Sequence, residues 1–323
     1  MIVFRDPTEV PEGFGPSVVT IGKFDGVHAG HRAIINRARV DAASHDSRVV
    51  AVTFDRNPLS LLRPELCPPS LIGVTQKLQF LAEAGVDATL LLTFDEVLAA
   101  LPAREFVEHV LVASLGVHTV LVGEDFRFGH KGAGDSELLR SLGDEYGFRV
   151  DVIPDVRAIH DDRRVSSTWI RELLAEGDVR TAGRVLGRPA SVWGEVVHGL
   201  KRGRELGFPT ANLSVDLEGF VPADGVYAGW LIDEEPETAT SVEPRRSIRY
   251  PAAISVGTNP TFDDVPTRQV EAYVLDETDI DLYGHHVEVQ FIDRIRGMVA
   301  FEGIDPLIVQ MTDDVRQVRA ALS

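Results

Sequence analysis

Apolar residues follow two different rhythms along this chain, and the switch between them near residue 187 limits what the chain can fold into. From residue 17 to about 155, short β-branched runs alternate with segments whose apolar residues recur at three and four positions. The runs are "SVVTI", "RVVAVTF", "ATLLLTF", "HTVLVG" and "FRVDVI"; between them lie "HRAIINRARVDAA", "TQKLQFLAEAG", "AREFVEHVLVASLG" and "DSELLRSLGDEYG". Near-continuous apolar strands separated by helices predict a parallel sheet covered on both faces, the doubly wound α/β pattern. A further helical stretch, "TWIRELLAEGDVRTAGRVLG", closes this half. After "GRP" at 187–189 the period falls to two, in "SVWGEVV", "GVYAGWLI", "AAISVG", "VEAYVL" and "HVEVQFI". No helical pattern returns until "DPLIVQMTDDVRQVRAAL". Short strands without crossover helices predict a small antiparallel β-barrel capped by one C-terminal helix. The expected domains are therefore 1–186 and 187–323, in keeping with a length of 323 residues that exceeds most single cores. The polar, proline-punctuated stretch 233–247 reads as an exposed loop between barrel strands.

Charge narrows the function classes. Thirty-two Lys and Arg against 50 Asp and Glu give a formal net charge of -18, which repels a polyanion and argues against a nucleic-acid track. A local cluster of cations and backbone N–H groups can still hold a small phosphorylated ligand. The single cysteine, Cys67, cannot form an internal disulfide and fits a reducing, cytoplasmic setting. No run approaches 18 uninterrupted apolar residues, and the N-terminus lacks the pattern of a signal peptide, so no membrane association is expected. The sequence leaves oligomeric state open.

The turn after the first long strand is the most informative segment. "GKFDGVHAGH", residues 22–31, puts Gly22, Gly26 and Gly30 around two histidines where a strand should hand over to a helix. At the carboxyl edge of a parallel sheet this is a favoured phosphate position, and the glycines are expected to supply positive φ and close backbone approach. His28 and His31, three apart at a helix start, should project from one face beside N–H groups of partial positive charge. The competing explanation is that a histidine merely caps the helix. The segment lacks both the Lys-Ser/Thr of a P-loop and the glycine spacing of a dinucleotide fingerprint.

This stretch resembles the H-x-G-H signature of the nucleotidyltransferase superfamily. "VSSTWIR", residues 165–171, is similar to that superfamily's later S-S-T-x-x-R motif, with Ser166, Ser167 and Thr168 opening a helix and Arg171 one turn on. A capping box with Glu172 nearby would explain the first three without the arginine. "VTFDRNP" (52–58) and "GEDFRFGHKGAGD" (123–135) resemble the flavin-facing segments of bacterial FAD synthetases. That family usually shows T-F-D-P-H-P; here Arg56 replaces Pro and Asn57 replaces His. The resemblance implies ATP contacts at Gly22, Phe24, Asp25, Gly26, His28, Gly30, His31, Ser167, Thr168 and Arg171. It implies flavin contacts at Phe54, Asn57, Asp125, Phe126 and Phe128, although core packing explains each phenylalanine equally well.

The second half has its own signature. "GLKRGRELGFPTANL", residues 199–213, carries a basic, glycine-rich lead-in and the polar pair Thr210 and Asn212 after Pro209. Lys201, Arg202 and Arg204 suit a polyphosphate, while a hydroxyl and an amide oxygen suit Mg²⁺. G-F-P-T-A-N resembles the signature of riboflavin kinases, and the resemblance continues through "ADGVYAGW", "AAISVGTNPTF", "VEAYVLD" and "DLYGHHVEVQFIDRIR". It implies that Glu271 is the general base, that Gly199, Lys201, Arg202, Gly207, Pro209, Thr210 and Asn212 bind ATP, that Thr210 and Asn212 hold the metal, and that Glu271 and Arg296 face the flavin. His285 and His286 read as turn residues whose side chains diverge, against shared metal ligation.

Both resemblances, in this order, are those of bacterial riboflavin kinase/FMN adenylyltransferases. They imply riboflavin and ATP giving FMN and ADP in the second half, then FMN and ATP giving FAD and pyrophosphate in the first. The rival readings are a nucleotidyltransferase with another phosphorylated acceptor, such as phosphopantetheine or nicotinamide mononucleotide, and a flavin-binding regulatory module with one degenerate site. A flavin reductase barrel would leave G-F-P-T-A-N unexplained.

Overall fold

All five residues of "SVVTI" are buried, as expected for a strand with helices on both of its faces. In this computed structural model, which describes residues 1–158, 162–198, 208–234, 247–257, 268–277 and 280–323, the chain divides into two compact units, Met1–Ser167 and Thr168–Ser323.

The first unit holds six parallel strands: β1 (Ile2–Phe4), β2 (Ser17–Ile21), β3 (Arg48–Phe54), β4 (Ala88–Leu92), β5 (Val117–Gly123) and β6 (Arg149–Ile153). They lie in the order β1-β4-β3-β2-β5-β6. Chain order reverses between β2 and β5, so the crevice beyond their carboxyl ends is the place where such sheets bind ligands. Alternate residues Val19, Ile21, Val50, Val52, Leu90, Leu92, Val120 and Val122 build one core with Phe106, Val107, Leu111, Leu139 and Leu142. Each such side chain, fully removed from water, contributes about 1.5–3 kcal/mol. The opposite face packs under helix Ala29–Ser44, through Ile35, Ala38 and Ala42.

Two details differ from expectation. The three-residue strand β1 pairs with β4 at the sheet edge, too short to show a period. The helix predicted over 103–116 begins as an α-helix, Ala103–Phe106, and widens to π winding over Val107–Ser114.

In the second unit, β7 (Ala190–Val197), β8 (Thr210–Leu213), β9 (Gly225–Glu234), β10 (Ser247–Gly257), β11 (Gln269–Val274) and β12 (His286–Arg296) close a barrel in the order β10-β11-β8-β7-β12-β9. Every pairing is antiparallel. Val192, Leu231, Ile254, Ala272 and Val289 are fully buried and fill its interior. Helix Ile304–Leu322 packs outside, Val318 meeting Ala228 and Leu275. The stretch expected to be one helix before the barrel is two, Ser167–Glu176 and Val179–Leu186, broken at Gly177 with φ 83° and restarted by Asp178, whose carboxylate accepts from Thr181 N. Both helices join the barrel's unit: Ala223 N donates to Leu174 O, and Arg180 pairs with Asp293.

Candidate active sites

β2 ends at Ile21 and helix Ala29–Ser44 begins eight residues later, at the point where strand order reverses. The intervening turn is folded in an unusual way. Gly26 has φ 89°, but Gly22 and Gly30 do not adopt positive φ, contrary to expectation; Phe24 (φ 48°) and Val27 (φ 38°) do. A β-branched residue in that region is strained, and its persistence shows how firmly the buried side chains of Phe24 and Val27 hold the turn.

His28 is the N-cap, its Nδ1 accepting from His31 N at 3.4 Å. The capping explanation is thus correct as far as it goes. The same geometry also stacks the two imidazoles, centroids 3.7 Å apart and planes 16° apart, with Phe24 against His31 at 5.2 Å. Gly30 earns its place through space and not conformation: a Cβ there would stand 3.1 Å from Cε1 and Nδ1 of His28. H-x-G-H is therefore a single packed object, a buried imidazole lying over a glycine with a second ring stacked on it.

Asp25 ties this turn to its surroundings. Its carboxylate accepts from Leu71 N at 2.8 Å, and its carbonyl accepts from the Ser167 hydroxyl at 2.8 Å. Thr168 is exposed and Arg171 half-buried in the helix that Ser167 opens. Lys77, which no motif singles out, is buried on helix Val74–Glu83 and donates to Phe54 O at 2.8 Å. Burial pushes its ammonium below the ordinary lysine range, while the nearby charges of Asp25 and Asp55 work the other way.

The flavin-facing candidates line the neighbouring strand ends. Phe54 stacks edge-on to Phe94 at 5.4 Å, and Asn57 Oδ1 accepts from Leu59 N at 3.1 Å in a local turn. Arg56 Nε donates to Phe94 O at 2.7 Å, so the residue standing for the usual proline binds backbone. Phe128 is buried in the core under the parallel ring of Phe126, which is only half-buried. Asp125 is paired with Arg164, which also reaches Asp155 at 3.0 Å.

In the barrel, β8 carries Thr210 and Asn212, a strand too short to be read from period alone. Its register places Asn212 opposite Glu271 and Thr210 opposite Tyr273. Period two then sends Thr210, Asn212, Glu271 and Tyr273 to one face, away from the interior residues Val270, Ala272 and Val274. Tyr273 packs against the C-terminal helix cluster and edge-on to Phe208 at 5.3 Å, so this face is the outer one. Thr210 Oγ1 donates to Glu271 Oε2 at 3.5 Å, and Asn212 Nδ2 donates to Thr210 O at 3.2 Å, leaving Asn212 Oδ1 as an acceptor. Burial pushes the Glu271 carboxyl above the usual carboxylate range, against the opposing hydrogen bond from Thr210. A hydroxyl and an amide oxygen are hard-oxygen donors that fit Mg²⁺ beside this carboxylate.

Arg296 does not stand free toward a ligand. Its guanidinium grips Asp314 of the C-terminal helix through Nε (2.9 and 3.1 Å) and Nη2 (2.7 Å), both partners largely buried. His285 pairs with Asp233 at 3.1 Å, and His286 opens β12 exposed. Pro209 precedes β8; Gly199, Lys201, Arg202, Arg204 and Gly207 lie outside the described residues.

An imidazole pair at the switch point of a parallel sheet, and a desolvated carboxylate beside hard-oxygen donors on a barrel, suit a two-domain transferase of nucleotidyl and phosphoryl groups. The FAD synthetase family model matches residues 11–169 and the riboflavin kinase model residues 186–322. The bifunctional riboflavin kinase/FMN adenylyltransferase of Escherichia coli K12 is 37% identical over 299 residues, covering 92% of this chain and 90% of its own. Those of Pseudomonas fluorescens and Haemophilus influenzae are 36% and 32% identical, each over 303 residues covering 94% of this chain, and 92% and 93% of their own. A crystal structure described as a macrolide-efflux protein from Streptococcus pneumoniae shares the fold with a TM-score of 0.82, 31% identity and 98% coverage of both chains. Among the described residues no helix is long and apolar enough to cross a membrane. The chain belongs to the bifunctional riboflavin kinase/FMN adenylyltransferase family.

Proposed function

We propose that the two reactions of this family run on the two sites just described, with the adenylyltransferase in 1–186 and the kinase in 187–323. The observation that carries the kinase assignment is the desolvated Glu271 beside Thr210 and Asn212. Riboflavin's primary alcohol needs a carboxylate to accept its proton as it attacks the γ-phosphorus of ATP, and burial makes Glu271 a stronger base for that step. Thr210 and Asn212 would hold Mg²⁺, which supplies neutralisation of phosphate charge. The outer-face position of Glu271 leaves it open to substrate, and Arg296 acts by anchoring the C-terminal helix beside that face.

For adenylyl transfer the nucleophile, the FMN phosphate, is already an anion, so alignment and charge neutralisation replace base catalysis. The stacked His28 and His31 would bind and align the α-phosphate and the departing pyrophosphate through their ring nitrogens. Ser167 spends its hydroxyl proton on Asp25 O, so its share in phosphate binding falls to its backbone N–H at the helix start. Thr168 and Arg171 keep the triphosphate role that their motif implies. Phe126, half-buried over Phe128, offers the flavin an apolar surface, with Phe54 and Asn57 on the neighbouring strand end. An ATP-rich cytoplasm is the setting this reading requires.

Chromatography of the products from riboflavin, ATP and Mg²⁺ tests the reading. FMN and FAD together support both sites, FMN alone limits the activity to the barrel, and no ADP release with riboflavin defeats the kinase assignment.

A further inference from the structure

The edge of the parallel sheet opposite the histidine turn carries a second cluster of ligating groups that neither reaction uses. Asp41 and His45 lie one turn apart at the carboxyl end of helix Ala29–Ser44, and His118 is the second residue of β5. One ligand atom from each of the three falls within 4.8 Å of the others. The two rings face each other with centroids 4.5 Å apart and planes at 37°. Asp41 is only 7% exposed; Arg149 Nη2 binds its Oδ1 at 2.8 Å, and the Thr119 hydroxyl also serves the carboxylate.

A buried carboxylate with two imidazoles within ligand reach is a donor set that a metal ion can share. His45 Nδ1 lies 3.7 Å from Asp41 Oδ1 and 2.9 Å from Asp41 O, while His118 Nδ1 lies 2.9 Å from Thr119 Oγ1, an outer partner of the kind that orients a ligating ring. His45 is exposed, which gives an ion a path in and leaves the ring free to turn. Two nitrogens and one carboxylate oxygen suit zinc and its neighbours among the divalent transition metals; Mg²⁺ prefers an all-oxygen set.

We propose that Asp41, His45 and His118 form a binding site for a divalent transition-metal ion of the zinc class, apart from both reaction sites. Bringing the three atoms to metal-bond length requires closing their separations by about an ångström, within reach of small ring rotations, since Zn–N bonds are about 2.0–2.1 Å. The ion would tie the end of the first helix to the start of β5. Its effect is on stability and not on turnover.

The test uses the full chain, stripped with chelator and titrated with Zn²⁺ by calorimetry, alongside His45→Gln, His118→Gln and a His28→Ala/His31→Ala control. The wild type and the control are expected to take up one equivalent that each of the other variants binds at least tenfold more weakly. Zn²⁺ should also raise the melting temperature of the wild type more than that of His45→Gln, a substitution at an exposed position that leaves the fold intact. Co²⁺ should give a visible d–d spectrum in the wild type that His45→Gln lacks. Equal stoichiometry, affinity and melting shift in the wild type and both single variants would overturn the site; so would loss of the equivalent in the His28/His31 control alone.

Discussion

At the scale of single residues, the proposed base Glu271 would join catalysis to stability. Because burial raises its folded pKa, the folded chain holds that proton more tightly than the unfolded chain. Its contribution to stability is fully present below the unfolded carboxylate value and is lost as pH rises through the folded one. Glu271→Gln should therefore melt later than the wild type at neutral pH, with the difference vanishing in acid, while FMN formation falls about 10²–10⁴-fold. Wild-type FMN formation should in turn drop as pH falls through a value above the ordinary glutamate range, read from a pH–rate profile. Gly30 makes the converse case. Alanine there would favour the helix by about 0.5–1 kcal/mol, yet its Cβ must displace the His28 ring by a few tenths of an ångström. Gly30→Ala is expected to slow FAD formation from FMN about tenfold, with FMN formation from riboflavin unchanged. The sequence located both residues through their motifs. It assigned Gly30 a backbone role that in fact belongs to Gly26, Phe24 and Val27, because a motif fixes spacing but not which residue absorbs the turn.

At the scale of elements, the C-terminal helix is held by a largely buried ion pair, beside the more exposed Arg319–Asp276 pair. Arg296 on β12 and Asp314 on the helix are joined by a forked contact, supported by Gln310 Nε2 at 2.9 Å from Asp314 Oδ1. Removing one partner strands the other charge, so Asp314→Ala should destabilise the chain by about 3–5 kcal/mol in urea unfolding. Since Tyr273 beside Glu271 packs against the same helix, FMN formation should fall with it and FAD formation from FMN should not. Period read β2 and β3 to the residue, because a strand buried on both faces leaves no polar interruption. It missed β1 and β8, of three and four residues, since so few positions show no rhythm. It also ran one helix through Gly177, where the chain takes φ 83° and Arg294 of β12 donates to Glu176 O beside the break.

At the scale of the whole molecule, two separate sites predict separable losses. A His28→Ala/His31→Ala chain fed riboflavin, ATP and Mg²⁺ should accumulate FMN, with FAD formation reduced about 10²-fold or more. Glu271→Gln fed FMN should still release pyrophosphate and make FAD. Chelating Mg²⁺ should abolish FMN formation in every variant. Equal loss of both products in either variant would show that the two reactions share a site.

Sequence alone determined the two folding patterns, their order and the residue types at each site, because burial periodicity and motif spacing are properties of the covalent chain. Only tertiary structure decided that His28 and His31 stack, that Lys77 is buried near Asp25 and Asp55, that Arg296 is held by Asp314, and that Asp41, His45 and His118 converge. Each of these depends on segments distant in sequence, or on side-chain directions, that become neighbours once the apolar faces have closed.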